Sequence, residues 1–152
     1  MNDNVYLASI YRLHGVNFWE SAKVLGEQLE VDANGVPTKV TAIPFYFFAS
    51  HAAELLLKAA LLKRGFTCHD LKQFSYRHDL DALLQAVKDK GVAVTAETTE
   101  MIARLSDQHR THALRYTALV DDGRPTYMPP QGPIFSMLTE LLLLTRISTQ
   151  GV

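Results

Sequence analysis

The sequence predicts an all-α protein, a bundle of five helices, and three observations carry that prediction. The stretch AIPFYFFASHAAELLLKAALLKRG, Ala42–Gly65, is apolar over about three quarters of a helical circumference, as a helix surrounded by others must be. Apolar residues recur at three- and four-residue spacing in four further segments. Turn-forming residues gather between these segments: Asn34-Gly35, Gly65, Gly91, Asp122-Gly123 and a run of prolines before residue 134.

Helix one is predicted over Val5–Leu29, where Leu7, Ile10, Tyr11, His14, Phe18, Ala22, Leu25 and Leu29 share a face, with a bend expected at Gly15. Val31–Lys39 contains Asn-Gly and a proline and ends it. Pro44 suits the first turn of the second, central helix, and Gly65 its C′ position, preceded by Lys63 and Arg64 at the negative end of the dipole. Phe66–Arg77 reads as a loop. Leu80, Leu83, Leu84 and Val87 then make a short amphipathic third helix, with Asp79 and Asp81 at its start and Lys88 and Lys90 at its end. Thr95 is the expected N-cap of a fourth helix, Ala96 to about Tyr116. Thr117–Pro133 is too rich in turn residues for a helix, and its YTALV and RPTYM segments predict a small β-hairpin. Pro133 opens the fifth helix, Ile134–Ser148.

At 152 residues the chain forms one domain, 1–152, large enough for a single core. A formal charge of −1 with 20% charged residues gives an overall field that neither attracts nor repels nucleic acid strongly. Cys68 is the only cysteine, which excludes an internal disulfide and a cysteine-based zinc site and fits a reducing, cytoplasmic setting. Asp3, Arg12 and His14 interrupt the N-terminal stretch, so no signal peptide is expected. The two most apolar segments carry Glu54 with Lys58, and Glu140, and are expected as core helices rather than membrane spans.

The chemistry concentrates on two helices. Ser50, His51, Glu54 and Lys58 form a polar stripe on the central helix, either a narrow window on solvent or the lining of a polar pocket. On the fourth helix His109 and His112 fall within the apolar arc of Met101, Ile102, Leu105 and Tyr116, with Arg104, Gln108 and Arg115 on the flank and Asp107 and Arg110 pointing away. If the two helices are neighbours, Glu54, Lys58, His109, His112 and Arg115 meet in one partly buried polar cluster. The plainer reading is a set of core histidines with a surface Glu54–Lys58 ion pair. His51-x-x-Glu54 and His109-x-x-His112 also have metal-ligand spacing; one carboxylate falls short of a di-iron set, a mononuclear zinc site is the minor alternative, and no metal is the expectation. Ser50 and Ser106 lack an orienting third group, and there is no glycine-rich phosphate loop, so no cofactor is expected.

From Phe45 to Tyr116 the chain resembles the HEPN superfamily of helical bundles. The resemblance rests on ASHAAELLLKAALLKRG with Glu54 and Lys58, on His78-Asp79-Leu80 opening the next helix, and on Arg115-Tyr116 ending the fourth. It implies an up-and-down bundle, a homodimer, and a module that binds a partner protein, a nucleotide or RNA through a pocket between the second and fourth helices, with His51, Glu54, Lys58, His78, Arg115 and Tyr116 as binding residues. A cognate antitoxin or a nucleotidyltransferase is the kind of partner implied. The alternative it implies is a metal-independent ribonuclease of the toxin or defence type with an Arg-x4–6-His motif. Arg104 to His109 and Arg64 to His69 both fit that spacing. In that case His109 is the general acid–base, Arg104 or Arg115 stabilises the phosphorane-like charge, and His112 assists. On a continuous helix Arg104 and His109 lie about 140° apart and share a site only across a dimer or at a distortion.

Overall fold

The computed structural model describes residues 3–34, 42–110 and 128–146. Within them the protein is all-helical: α1 Asp3–Glu27, α2 Ala42–Leu62, α3 Cys68–Leu71, a 3-10 turn at Phe74–Tyr76, α4 Leu80–Asp89, α5 Ala96–Arg110 and α6 Gln131–Leu144. There are six helices among the described residues rather than five. The extra one, α3, is a single turn within the predicted Phe66–Arg77 loop, closed by a capping box in which Thr67 and Asp70 satisfy each other's backbone N–H. The end of the fourth predicted helix beyond Arg110 and the predicted hairpin up to Tyr127 lie outside the described residues.

The central helix, α2, packs along α1 and also touches α4, α5 and α6. Phe45, Tyr46, Ala49, Ala52, Ala53, Leu56, Leu57, Ala59, Ala60 and Leu61 are all buried, and with them Ser50 and Glu54. Its Ile43–Leu62 window is long and apolar enough to cross a membrane by length and composition, and 78% of it is buried inside the bundle. Gly65 ends the helix with φ +94°, while Phe66 N–H reaches back to the Leu61 carbonyl, the C′ geometry that glycine supplies without steric cost.

α1 runs unbroken through Gly15. Its buried positions are Ala8, Gly15, Ala22 and Gly26, small residues on one stripe, while the larger Leu7, Tyr11, Phe18 and Leu25 stand partly buried beside them. This seam lets the α1 backbone approach α2 closely: a Cβ at Gly15 would lie 3.0 Å from Leu56 Cγ and Cδ2. Gly15 therefore serves contact rather than curvature.

Side chains set the registers of the remaining helices. Asp79 caps α4 by accepting from Ala82 N–H, and Ser106 of α5 accepts from Asp81 N–H, which joins α4 to α5. Thr95 caps α5 through Thr98 N–H, and Glu140 of α6 in turn accepts from Thr95 N–H and from the hydroxyls of Thr95 and Thr98. The Tyr46 hydroxyl donates to the Pro129 carbonyl at 2.7 Å, anchoring the entry to α6. That helix starts at Gln131, three residues earlier than predicted, because Pro133 still lies in the first turn, where the N–H it lacks has no intrahelical partner. It ends at Leu144, four residues early, where Arg64 donates to the Leu144 carbonyl, Lys63 to the Thr145 carbonyl and Arg12 to the Thr145 hydroxyl.

Gly15→Val should lower stability by about 1–3 kcal/mol, the usual cost of overpacking a filled interface. Gly132, where an added Cβ would have nothing within 4 Å, should accept alanine without loss. Urea denaturation midpoints read both, and a Gly15→Val protein as stable as wild type would contradict the close α1–α2 approach.

Candidate functional site

The polar stripe of α2 is mostly enclosed: Ser50 and Glu54 are buried, while Lys58 and His51 reach the edges of two separate grooves. Glu54 sits at its centre with 2% of its side chain exposed, a carboxylate that must be compensated to lie there. Lys58, one turn on, donates to Oε1 at 2.5 Å. His109, from the inward face of α5, donates through Nε2 to Oε2 at 2.6 Å, and His78 donates through Nδ1 to the same oxygen at 3.1 Å. An ionised carboxylate only accepts, so both imidazoles must present an N–H to it. His51 stands further off, its Nδ1 4.0 Å from Oε2, with the Phe18 edge and the Phe47 face against its ring.

Burial pulls the Glu54 carboxyl upward, but the His109 hydrogen bond and the charge and hydrogen bond of Lys58 outweigh it and hold the group well below the usual carboxylate range. The carboxylate is thus ionised at all ordinary pH values. It ties three segments together: α2, the turn before α4, and α5.

His78 has φ 53°, a left-handed conformation that a non-glycine residue adopts at a cost of about 1–3 kcal/mol. The conformation is held on one side by the Glu54 bond and on the other by the Asp79 cap of α4. A groove of about 650 Å³ opens in front of it. Its lining includes Tyr11, Lys58, Lys72, Arg77, His78 and Arg110, with Asp79 as the one acidic member among the described residues. The groove is therefore cationic, and its floor is the outer edge of the Glu54 cluster. A second, smaller groove of about 320 Å³ lies between α1 and α2, lined by Leu7, Ile10, Phe18, His51 and Leu55 among others.

Of the residues singled out from sequence, Glu54, Lys58, His78 and His109 come together, with His51 beside them. His109 is only 3% exposed and does not line the groove; its ring lies against Glu54. Arg104 is elsewhere: it is exposed and pairs with Glu100 on the outer face of α5, as the turn between it and His109 requires. Arg64 of the second Arg-x4-His match is spent on the Ala60 and Leu144 carbonyls, and His69 is exposed on α3. His112, Arg115 and Tyr116 lie outside the described residues. Ser106 is committed to Asp81 N–H.

Sequence reasoning missed the cations of the groove, Lys72, Arg77 and Arg110. The signal available was the spacing of Lys72, Arg77 and His78 just before a helix N-cap, which places basic side chains beside a fixed helix terminus.

Glu54→Gln should cost about 3 kcal/mol or more at neutral pH, since it leaves Lys58 and two imidazole N–H groups facing an amide. Because the folded carboxyl is depressed below its usual 4.5, its contribution is complete above about pH 4.5 and is lost as pH falls below that. The stability gap between wild type and Glu54→Gln should therefore shrink in acid, which urea titrations at pH 7 and at lower pH will read.

Comparisons with protein-family models, with curated proteins and with solved structures find no match to this chain.

Proposed function

We propose that the protein is a HEPN-like helical module that binds a phosphate-bearing ligand, a nucleotide or an RNA strand, in the groove above Glu54. The observation that carries this reading is the charge of that groove. Among the described residues Lys58, Lys72, Arg77 and Arg110 line it with Asp79; Lys58 is paired with Glu54 and Arg110 with Asp107, which leaves Lys72 and Arg77 as its exposed cations, in a chain whose net charge is −1. Cations gathered on a concave wall focus a positive potential even on a nearly neutral protein. Lys58 is held in place by Glu54, while Lys72 and Arg77 are exposed and able to meet phosphate oxygens. The volume is that of an ordinary small-ligand site, and Tyr11 offers an aromatic side chain on the α1 wall. We extend the proposal to a homodimer, for which the exposed Val5, Tyr6, Leu13 and Val24 of α1 supply apolar surface.

A second reading, metal-independent RNA cleavage, is favoured by His78 in particular. With Nδ1–H given to Glu54, the neutral ring keeps Nε2 as its proton acceptor, the arrangement a general base needs. The groove cations would then stabilise the charge building on phosphorus. This moves the acid–base role from His109 to His78 and leaves His109 to position the carboxylate.

Fluorescence anisotropy with a labelled single-stranded RNA and with a labelled nucleotide, in excess chelator, tests the first reading. Binding should weaken as salt rises, and Arg77→Ala and Lys72→Ala should each weaken it and flatten the logarithmic salt slope by about 0.7 per lost phosphate contact on RNA. Absence of binding, or binding indifferent to both substitutions, would reject it. Cleavage of the same RNA by wild type but not by His78→Ala is expected on the second reading; no cleavage by wild type rejects that reading alone.

A further inference from the structure

We infer that His51, Glu54 and His109 form a binding site for a single divalent transition-metal ion, with Zn²⁺ as the best match. This goes beyond the anion-binding reading and does not depend on it. The three residues each offer one ligand atom, and these atoms lie within 4.8 Å of one another. His51 and Glu54 are one turn apart on the same face of α2, and His109 reaches them from α5, so two packed helices fix the set. Two imidazole nitrogens and one carboxylate oxygen make up a donor set that zinc sites use when a fourth position is left open.

The distances fit that role. Donors bound at about 2.0–2.2 Å to one tetrahedral ion stand roughly 3.3 Å from each other. Glu54 Oε2 is 2.6 Å from His109 Nε2 and 4.0 Å from His51 Nδ1, so the observed separations fall on either side of that value. Evening them takes a shift of about 0.7 Å or more in the carboxylate oxygen. The 4.0 Å spacing is too long for a hydrogen bond, while Phe18 and Phe47 hold the His51 ring in place and wall that side with apolar surface. His78 Nδ1, 3.1 Å from the same Oε2, stands on the fourth side, toward the groove.

Ion binding needs the Nε2 lone pair of His109, so the neutral ring takes the tautomer with its proton on Nδ1 and the hydrogen bond to Glu54 gives way to the ion. Lys58 stays on Oε1, where its charge opposes the incoming cation. Removing it should tighten the site, the opposite of what a nonspecific loss of structure would do.

The test is titration of chelator-stripped full-length protein with Co²⁺, followed by its visible absorption, and then with Zn²⁺ by calorimetry. One equivalent should bind, with the strong d–d bands of a four-coordinate ion, and Zn²⁺ should displace Co²⁺. His51→Ala and Glu54→Gln should each weaken binding by at least about tenfold. Because Glu54→Gln destabilises the fold, His51→Ala, a partly exposed position, is the primary variant, and far-ultraviolet circular dichroism verifies its helix content. Lys58→Met should bind more tightly than wild type. Failure of wild type to bind either ion, binding unchanged in His51→Ala, or a Lys58→Met protein that binds no more tightly overturns the assignment. RNA or nucleotide binding that persists in chelator is untouched by any of these outcomes.

Discussion

A single carboxylate, that of Glu54, is the constraint on which the rest of the site depends. Taking an ionised group into the middle of an apolar bundle is expensive unless every lone pair finds a donor, and here both oxygens do. The donors come from α2 itself, from α5 and from the turn before α4, so the electrostatic demand of one residue dictates where three chain segments lie. Packing alone would let α4 and α5 slide over the smooth leucine and alanine surface of α2. The directional bonds to Glu54 remove that freedom, and they do so at the edge of the only groove with a markedly cationic lining among those described.

The architecture was legible where the signal was local and periodic. Ala42–Gly65 announces a central helix because its apolar residues leave no solvent face, and Asp79, Thr95 and Gly65 mark helix ends by chemistry that acts within one turn. The α1 interface was harder to read. Hydropathy ranks Leu, Tyr and Phe above Gly and Ala, yet what α1 buries completely is Ala8, Gly15, Ala22 and Gly26. Close approach of two backbones selects for small residues, and of these the hydrophobic periodicity marks Ala22 but not Ala8, Gly15 or Gly26. The length of α6 likewise depends on distant residues: its C-terminus is held by Arg12, Lys63 and Arg64 from elsewhere in the chain.

The site divides along the same line. Glu54 and Lys58 are one helical turn apart, and the inward turn of His109 follows from its place among Met101, Ile102 and Leu105, so their meeting could be expected from helix geometry. Helix geometry also puts Arg104 on the opposite side, and there it is found, paired with Glu100. Lys72 and Arg77, by contrast, are ordinary surface cations in the sequence. They become the wall of a groove only because α3 and the 3-10 turn fold the Phe66–Arg77 segment back beside Lys58. Long-range placement of a loop is what a single sequence conveys least.

One cross-link described for the fold acts at a distance. Glu140 of α6 grips the cap of α5 through Thr95 and Thr98, so the start of α5 is pinned to its neighbour like the zero mark of a ruler. Each residue after that mark advances about 1.5 Å along the axis, and His109 lies fourteen residues beyond Thr95. The height at which the imidazole meets Glu54 is therefore set roughly 20 Å away, in a helix that contributes nothing to the cluster itself. Slippage of α5 by one turn would carry His109 about 5.4 Å off its carboxylate. The alignment of the cluster is thus a mechanical property of the α5–α6 junction as well as a chemical property of the residues that meet there.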